Sequence, residues 1–378
     1  TFYDAGQRLT EYLEYAGYNG LIMSVVADGS TLYPSARLQP TPRYDTGVFQ
    51  EAGQDPIRKD VLEMLFRLFD RGRLALIPAM EFAAPLPELE AEIRRGGPES
   101  EGLVWMGAEG KTWRETYRPV REAAPYYNVL HPRVQEAMLA AIGEVADRYA
   151  RHPSFAGLAI QLSAQGYAQL PGPNWGMDDV TMARFERDAQ IRVPGEGPDR
   201  FAERARFLAS QCPRRWLEWR AGELNRFYRR VQAELAAAAP QARLYLSGAN
   251  MLTGKEIERD LRPVLPRAMT ISEAMLRVGI DPRHYGGDRT IVLIRPERIA
   301  PGWSLAHQAV NLEIQQMLET ERAPFERMLI PGSLFFHEPQ ELRLESFDEK
   351  SPFRPSRTWL VTQPVPSQHQ NRRRFIHS

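Results

Sequence analysis

Seven short apolar runs, separated by helical patterns, constrain this chain more than any other feature. They span residues 21–27, 74–82, 155–162, 243–248, 290–294, 327–335 and 358–362. Each is a near-continuous stretch of aliphatic or β-branched residues, which is how a strand buried on both faces reads. Strands that alternate with helices pair in parallel, because the helix carries the chain back to the starting edge. Seven such strands approach the eight of a (β/α)8 TIM barrel, and the chain reads as one α/β barrel domain over residues 1–378. A helix over residues 4–16 comes first, so the missing strand is expected before Thr1 and the last helix beyond Ser378. On this reading the sequence is a fragment of a longer protein.

The helices carry their own punctuation. Asp55-Pro56 predicts a helix over 57–71, since Asp caps and Pro suits the first turn, and Gly72 ends it. Pro132 opens a second, whose apolar stripe is Val134, Met138, Ala141, Ile142, Val145 and Tyr149. PLPELEAEIRRGG is a third, ending on Gly. Further helices are predicted after Asp179, near 199–209, over 214–239, and in GKEIERDLRPVL and SLAHQAVNLEIQQMLETE. Residues 102–127 break this rhythm: GLVWMGAEGKTW predicts a β-hairpin insertion turning at Glu109-Gly110, after an early strand. The stretch from Tyr126 to Asp179 holds a helix, a strand and a long polar and aromatic loop. Such a loop lies past the carboxyl end of a strand, where α/β proteins build their sites.

Composition narrows the function classes. The 48 basic and 48 acidic residues cancel, which gives no support to a nucleic-acid partner. No apolar run is long enough for a membrane span. Cys212 is the only cysteine, so no internal disulfide forms, and its place in SQCPRRW reads as structural. No phosphate-binding glycine loop follows a strand, and HExxH and GxSxG are absent. No cofactor and no metal site is expected.

The strand AGYNGLIMSV, the strand ALIPAMEF with the insertion behind it, and the unit NVLHPRVQEAMLAAIGEVADRY–HPSFAGLAIQLS resemble the family-10-like glycosyl hydrolases, bacterial barrel proteins related to a large clan of retaining glycosidases. The resemblance implies a glycosidase-like barrel, a carbohydrate substrate, and a secreted, periplasmic or cell-envelope location. It also exposes a departure. The family carries acidic residues just after the strand 155–162, and the clan places its general acid there. This chain has Gln161, Ser163 and Gln165 instead. A neutral amide cannot protonate a leaving group, so an acid must come from elsewhere.

Glycoside hydrolysis needs two carboxylates, one to protonate the departing oxygen and one to attack the sugar or activate water. Asp28, Glu81, Asp178, Asp179, Glu273, Glu338 and Glu341 stand near predicted strand ends. Glu81 and Glu338 are the expected catalytic pair: Glu81 ends the PAMEF strand, and Glu338 follows the strand after which the clan's nucleophile lies. His337 could hydrogen-bond substrate or tune its neighbour. Asp28 also suits an Asx turn, and Asp178 and Asp179 also suit a helix cap. Sugars present an apolar ring face to indoles and phenols. Trp175 and Tyr167 in the loop, and Trp303 after a strand, are therefore expected to bind substrate with Gln161, Asp28, Asp178, Asp179 and His337. Trp105 and Trp113 in the insertion are further aromatic candidates, whereas Trp216 and Trp219 read as helix packing. Two functions follow: a glycoside hydrolase acting on a poly- or oligosaccharide, or a barrel that binds carbohydrate without cleaving it, as the neutral strand end suggests.

Overall fold

The computed structural model describes residues 2–15, 18–27, 30–38, 60–117, 126–252, 257, 269–299, 326–331, 337–344 and 357–364. Helix α1 (Phe2–Tyr15) leads into strand β1 (Gly20–Ala27), with β2 (Ser30–Thr31) folded back against its end. Helix α2 (Val61–Gly72) and strand β3 (Ala75–Glu81) follow. Asp60 caps α2 by accepting from the Glu63 amide at 2.8 Å, so this helix starts later than Asp55-Pro56 predicts. Next come α3 (Pro87–Arg95), α4 (Trp113–Tyr117) and α5 (Pro132–Tyr149), which delivers β4 (Gly157–Ser163). Three helices, α6 (Asp179–Ala189), α7 (Arg200–Gln211) and α8 (Pro213–Ala238), separate β4 from β5 (Arg243–Asn250). After α9 (Ile271–Arg277), the strands β6 (Ile291–Ile299), β7 (Glu326–Pro331), β8 (His337–Leu344) and β9 (Arg357–Pro364) complete the described chain.

The sheet runs β7-β6-β5-β4-β3-β1-β9-β8. All neighbours on this path pair in parallel except β8, which is antiparallel to β9. Strand β8 also lies alongside β7, so the two ends of the path meet. This is an α/β barrel of the (β/α)8 type with one antiparallel stave. The sequence reading of 327–335 as one strand followed by a loop is corrected here, because β7 ends at Pro331 and a separate strand begins at His337. It anticipated neither α4 nor α9, both too short for a helical period to show. The predicted hairpin survives as isolated antiparallel bridges, Met106 to Thr112 and Val104 to Tyr127, rather than a ladder. Gly110 makes the turn with φ +71°. The helices predicted in GKEIERDLRPVL and SLAHQAVNLEIQQMLETE lie outside the described residues, Ile257 apart.

Alternation along the strands divides the core in two. Leu76, Met80, Leu158, Ile160, Leu162, Leu244, Leu246 and Leu293 face outward into a large cluster with helix residues such as Phe66, Met138, Ile142 and Tyr228. Ile22, Ile77, Ala79, Ala159, Tyr245, Val292 and Ile294 face the other way and pack among themselves, filling the barrel interior. The small residues Ala79 and Ala159 are level with bulky Tyr245 and Val292 by strand register, so large side chains from one side of this level meet small ones from the other.

Two local features hold this arrangement. Gly157 opens β4 at φ +141°, where a Cβ would stand 2.0 Å from the Arg243 carbonyl oxygen of β5. His152, in the turn between α5 and β4, is buried and stacks on Phe66 of α2 with ring centroids 5.0 Å apart. Its Nδ1 lies 2.7 Å from Asp70 Oδ2 and its Nε2 3.0 Å from Glu63 Oε2. The Asp70 carboxylate also accepts from the Ser154 amide and hydroxyl. Burial acts to raise both carboxyls, but the hydrogen bonds from His152 and Arg67 to Glu63, and from Ser154 and His152 to Asp70, outweigh it. Both therefore titrate below the usual carboxylate range.

Gly157→Ala is expected to cost more than about 2 kcal/mol, because the new methyl forces β4 away from β5; denaturant unfolding measures it. A carboxyl depressed on folding adds stability above its unfolded value and loses it as pH falls through its folded value. The melting temperature should therefore fall between about pH 5 and pH 2, and Asp70→Asn should flatten part of that fall.

Candidate active site

The strand register builds a polar layer on top of the apolar interior. Glu81 of β3 pairs with Gln161 of β4, Gln161 with Ser247 of β5, and Ser247 with Ile294 of β6. These residues stand two positions beyond Ala79, Ala159, Tyr245 and Val292, so alternation puts them on the same inward face. The layer lies at the carboxyl ends of the strands, the end at which barrel enzymes place their chemistry. One step further, Ser163 pairs with Asn250 across a register shift in which β4 advances two residues and β5 three. Glu81 is half-buried, and Gln161 and Ser247 are buried. Glu81 is the carboxylate of this layer among the described residues.

Glu338 and His337 open β8, which is described by its backbone. His337 pairs with Pro364 and Glu338 with Gln363 of β9. Gln363 stands two residues beyond Val361, the partner of Ile22 on β1. The pair therefore sits by register at the carboxyl-terminal end of β9, the same end of the sheet as Glu81. Sequence reasoning placed them in a loop; they belong to a strand, which fixes their height relative to β9 and β1. Asp28 and Trp303 lie outside the described residues.

The loop after β4, residues 164–178, is pinned along its length. The Tyr167 amide donates to the Phe82 carbonyl at 2.7 Å, next to Glu81, and its hydroxyl to the Ala84 carbonyl at 2.8 Å. Gln169 Nε2 donates to the Met251 carbonyl, and the Leu170 amide to the Val278 carbonyl. Arg220 of α8 donates to the carbonyls of Pro171 and Gly172 at 2.7 and 3.2 Å, and Trp216 Nε1 to that of Pro173 at 2.9 Å. The amides of Gly176 and Met177 both reach the Met106 carbonyl of the insertion. Arg220 is fully buried between Trp105 and Trp216, 5.7 and 5.4 Å from their ring centroids. Burial lowers its pKa to about 9, and its described hydrogen bonds go to backbone carbonyls. The RRWLEWR sequence reads as a helix face and gives no sign that Arg220 turns inward.

Several expected substrate contacts have other occupations. Tyr167 was expected at the cleft wall; its ring is instead buried against Phe82 and Tyr127, because its two hydrogen bonds draw it under the strand end. Asp178 caps α6, with Oδ1 accepting from the Thr181 amide at 2.8 Å. It is 4% exposed, and burial raises its pKa to about 6. Asp179 binds Arg200 and Arg204 of α7 at 3.2 and 2.6 Å. Burial would raise that carboxyl, but the two guanidinium groups hold it below the usual range. Glu273 completes a capping box with Thr270 at the start of α9. Trp216 and Trp219 stack on each other and edge-on against Phe185, the packing role predicted for them. Trp175 is half-buried and packs against Trp113 and Tyr117 of the insertion. Among the described residues, no cluster of three or more His, Cys, Asp or Glu side chains is placed to hold a metal ion.

An apolar interior, a polar rim carrying a carboxylate, and a pinned loop beside it make this a (β/α)8-type barrel with a site layer at the carboxyl ends of its strands. A family model described as glycosyl hydrolase-like 10 matches residues 3–264, and the chain belongs to that family. No curated protein matches the sequence. Among solved structures, the chain is similar to the PgaB (BpsB) glycoside hydrolase domain of Bordetella bronchiseptica, at 13% identity and TM-score 0.42, covering 73% of this chain and 64% of that one. It is also similar to the catalytic domain of a β-amylase from Paenibacillus polymyxa, at 12% identity and TM-score 0.44, covering 88% and 83%. A third is the E323A mutant of the β-galactosidase Gan42B from G. stearothermophilus, at 10% identity and TM-score 0.41, covering 75% and 39%.

Asp178→Asn separates capping from substrate binding. Asn caps as well as Asp. The raised carboxyl costs the fold stability as pH rises from about 4 through about 6. The variant should therefore be at least as stable as wild type at about pH 8, and its advantage should shrink in acid, read from paired melting curves.

Proposed function

We propose that this chain is the barrel domain of a glycoside hydrolase that cleaves a poly- or oligosaccharide, with Glu81 and Glu338 as its carboxylate pair. The observation that carries this reading is the polar layer Glu81–Gln161–Ser247 at the strand ends, two residues beyond the apolar layer of the interior. A carboxylate there meets substrate at the mouth while its backbone is paired with Gln161 of β4. Membership of the glycosyl hydrolase-like family supports the same substrate class. In this reading one of the two acids protonates the departing oxygen, and the other attacks the anomeric carbon or activates water. Gln161 hydrogen-bonds a sugar hydroxyl, and Trp175 offers a ring to a pyranose face. No described helix is long and apolar enough to cross a membrane. A secreted, periplasmic or cell-envelope location is supported by the family resemblance.

Gln161 and Ser247 favour a second reading, since the neighbours of Glu81 in this layer are neutral. A barrel with one carboxylate at its mouth can bind a glycan without cleaving it. Glu81→Gln and Glu338→Gln distinguish the two. The glycosidase reading expects each to lower turnover by about 100-fold or more while leaving glycan binding in place. Glycan binding by the wild type with no product released supports the binding barrel, and full activity in both variants overturns the assignment.

A further inference from the structure

The insertion after β3 carries more aromatic surface than its packing needs. Trp113, Tyr117, Tyr126 and Trp175 form one cluster, with Trp113 at its centre. Tyr126 stacks behind Trp113, with centroids 4.3 Å apart and planes at 27°, and is itself buried. Tyr117 packs on Trp113 at 4.3 Å and lies 6.0 Å from Trp175. Trp113 and Trp175 are half-buried, while Tyr117 is 54% exposed. Large exposed aromatics are few among the described residues, and the others lie on α1.

The cluster is continuous with the mouth of the barrel. The Tyr126 hydroxyl donates to the Ala164 carbonyl at 3.2 Å, one residue past β4, and the Trp113 amide donates to the Trp105 carbonyl at 2.8 Å. Gly107 bridges to Trp175, tying the insertion to the loop beside the polar layer. The described charges nearby have partners of their own. Lys111 lies 3.7 Å from Glu109, Glu115 accepts from the Thr112 amide and hydroxyl, and Arg114 pairs with Glu90. Among the described residues, a ligand at this surface meets aromatic rings, with the Glu115 carboxylate beside them held by the Thr112 donors.

We propose that Tyr117 and Trp175, backed by Trp113, form a stacking platform for a pyranosyl unit, set beyond the sugars at Glu81. The platform rests on the reading of the barrel as a glycan site and deepens it, because a ring bound on the insertion extends the substrate beyond the reacting bond. The substrate class is a chain of several pyranose sugars, and a single sugar would leave the platform empty. Pyranose C–H faces stack on aromatic rings for the same reason apolar rings do, and the polar edges stay in water.

Calorimetry with disaccharides and hexasaccharides of β-linked glucose and of β-linked N-acetylglucosamine tests this, using the whole chain. The wild type should bind a hexasaccharide more tightly than the matching disaccharide. Tyr117→Ala should weaken the hexasaccharide by about threefold to tenfold and leave the disaccharide unchanged, and Tyr117→Phe should restore the wild-type value. A merely structural role would lower the melting temperature without this dependence on chain length. Equal hexasaccharide binding by Tyr117→Ala and wild type overturns the platform; loss of turnover in Glu81→Gln on the same chain would then leave the glycosidase reading standing. If the wild type binds neither chain, the platform falls and the glycosidase reading loses its support as well.

Discussion

The parallel ladder of β3, β4 and β5 is the constraint on which the rest depends. Ala79, Ala159 and Tyr245 share one level of this ladder, and Glu81, Gln161 and Ser247 share the next. Register in a sheet is discrete, and a slip of one residue turns every side chain to the other face. A slipped β4 would bury Gln161 among the helices and point Ile160 into the mouth. Gly157 guards against this, since it alone lets β4 start so close to Arg243 of β5. The apolar interior and the polar mouth are thus one structural fact seen at two heights.

The loop after β4 depends on a different balance. Burying Arg220 strips a guanidinium of water, and the backbone carbonyls of Pro171 and Gly172 replace only part of that solvation. The indoles of Trp105 and Trp216 supply negative ring faces on either side. Helix α8, the insertion and the loop therefore meet at one buried cation. The position of Trp175 against the insertion follows from this meeting, because the two carbonyls gripped by Arg220 lie three and four residues before it. The insertion adds the other half of the grip through the Met106 carbonyl.

The repeated apolar runs made the barrel legible in the sequence, and β1, β3, β4, β5 and β9 fall within a few residues of their predicted spans. The helix from Pro132 to Tyr149 was readable in full, since Pro marks its start and the stripe its face. What escaped were elements set by tertiary contact. Helix α4 has five residues and is held by the Trp113 cluster, and β8 is defined by its pairing with β9. Within the site, the position of Glu81 at a strand end was legible because the apolar run stops there. The burial of Tyr167 was not, since an aromatic in a polar loop reads the same whether its hydroxyl meets solvent or the Ala84 carbonyl. Asp178 showed both of its possible roles in sequence, and the Thr181 amide identifies the one it fills.

The proposed function requires Glu81 and Glu338 to act on one glycosidic bond at the carboxyl ends of the strands. A crystal structure of the chain with an oligosaccharide bound measures this directly, through the separation of the two carboxyl groups. The account expects about 5–10 Å with a glycosidic oxygen between them, the shorter end for a retaining reaction and the longer for an inverting one. A separation well beyond about 10 Å, or a sugar bound away from Glu81, would contradict it.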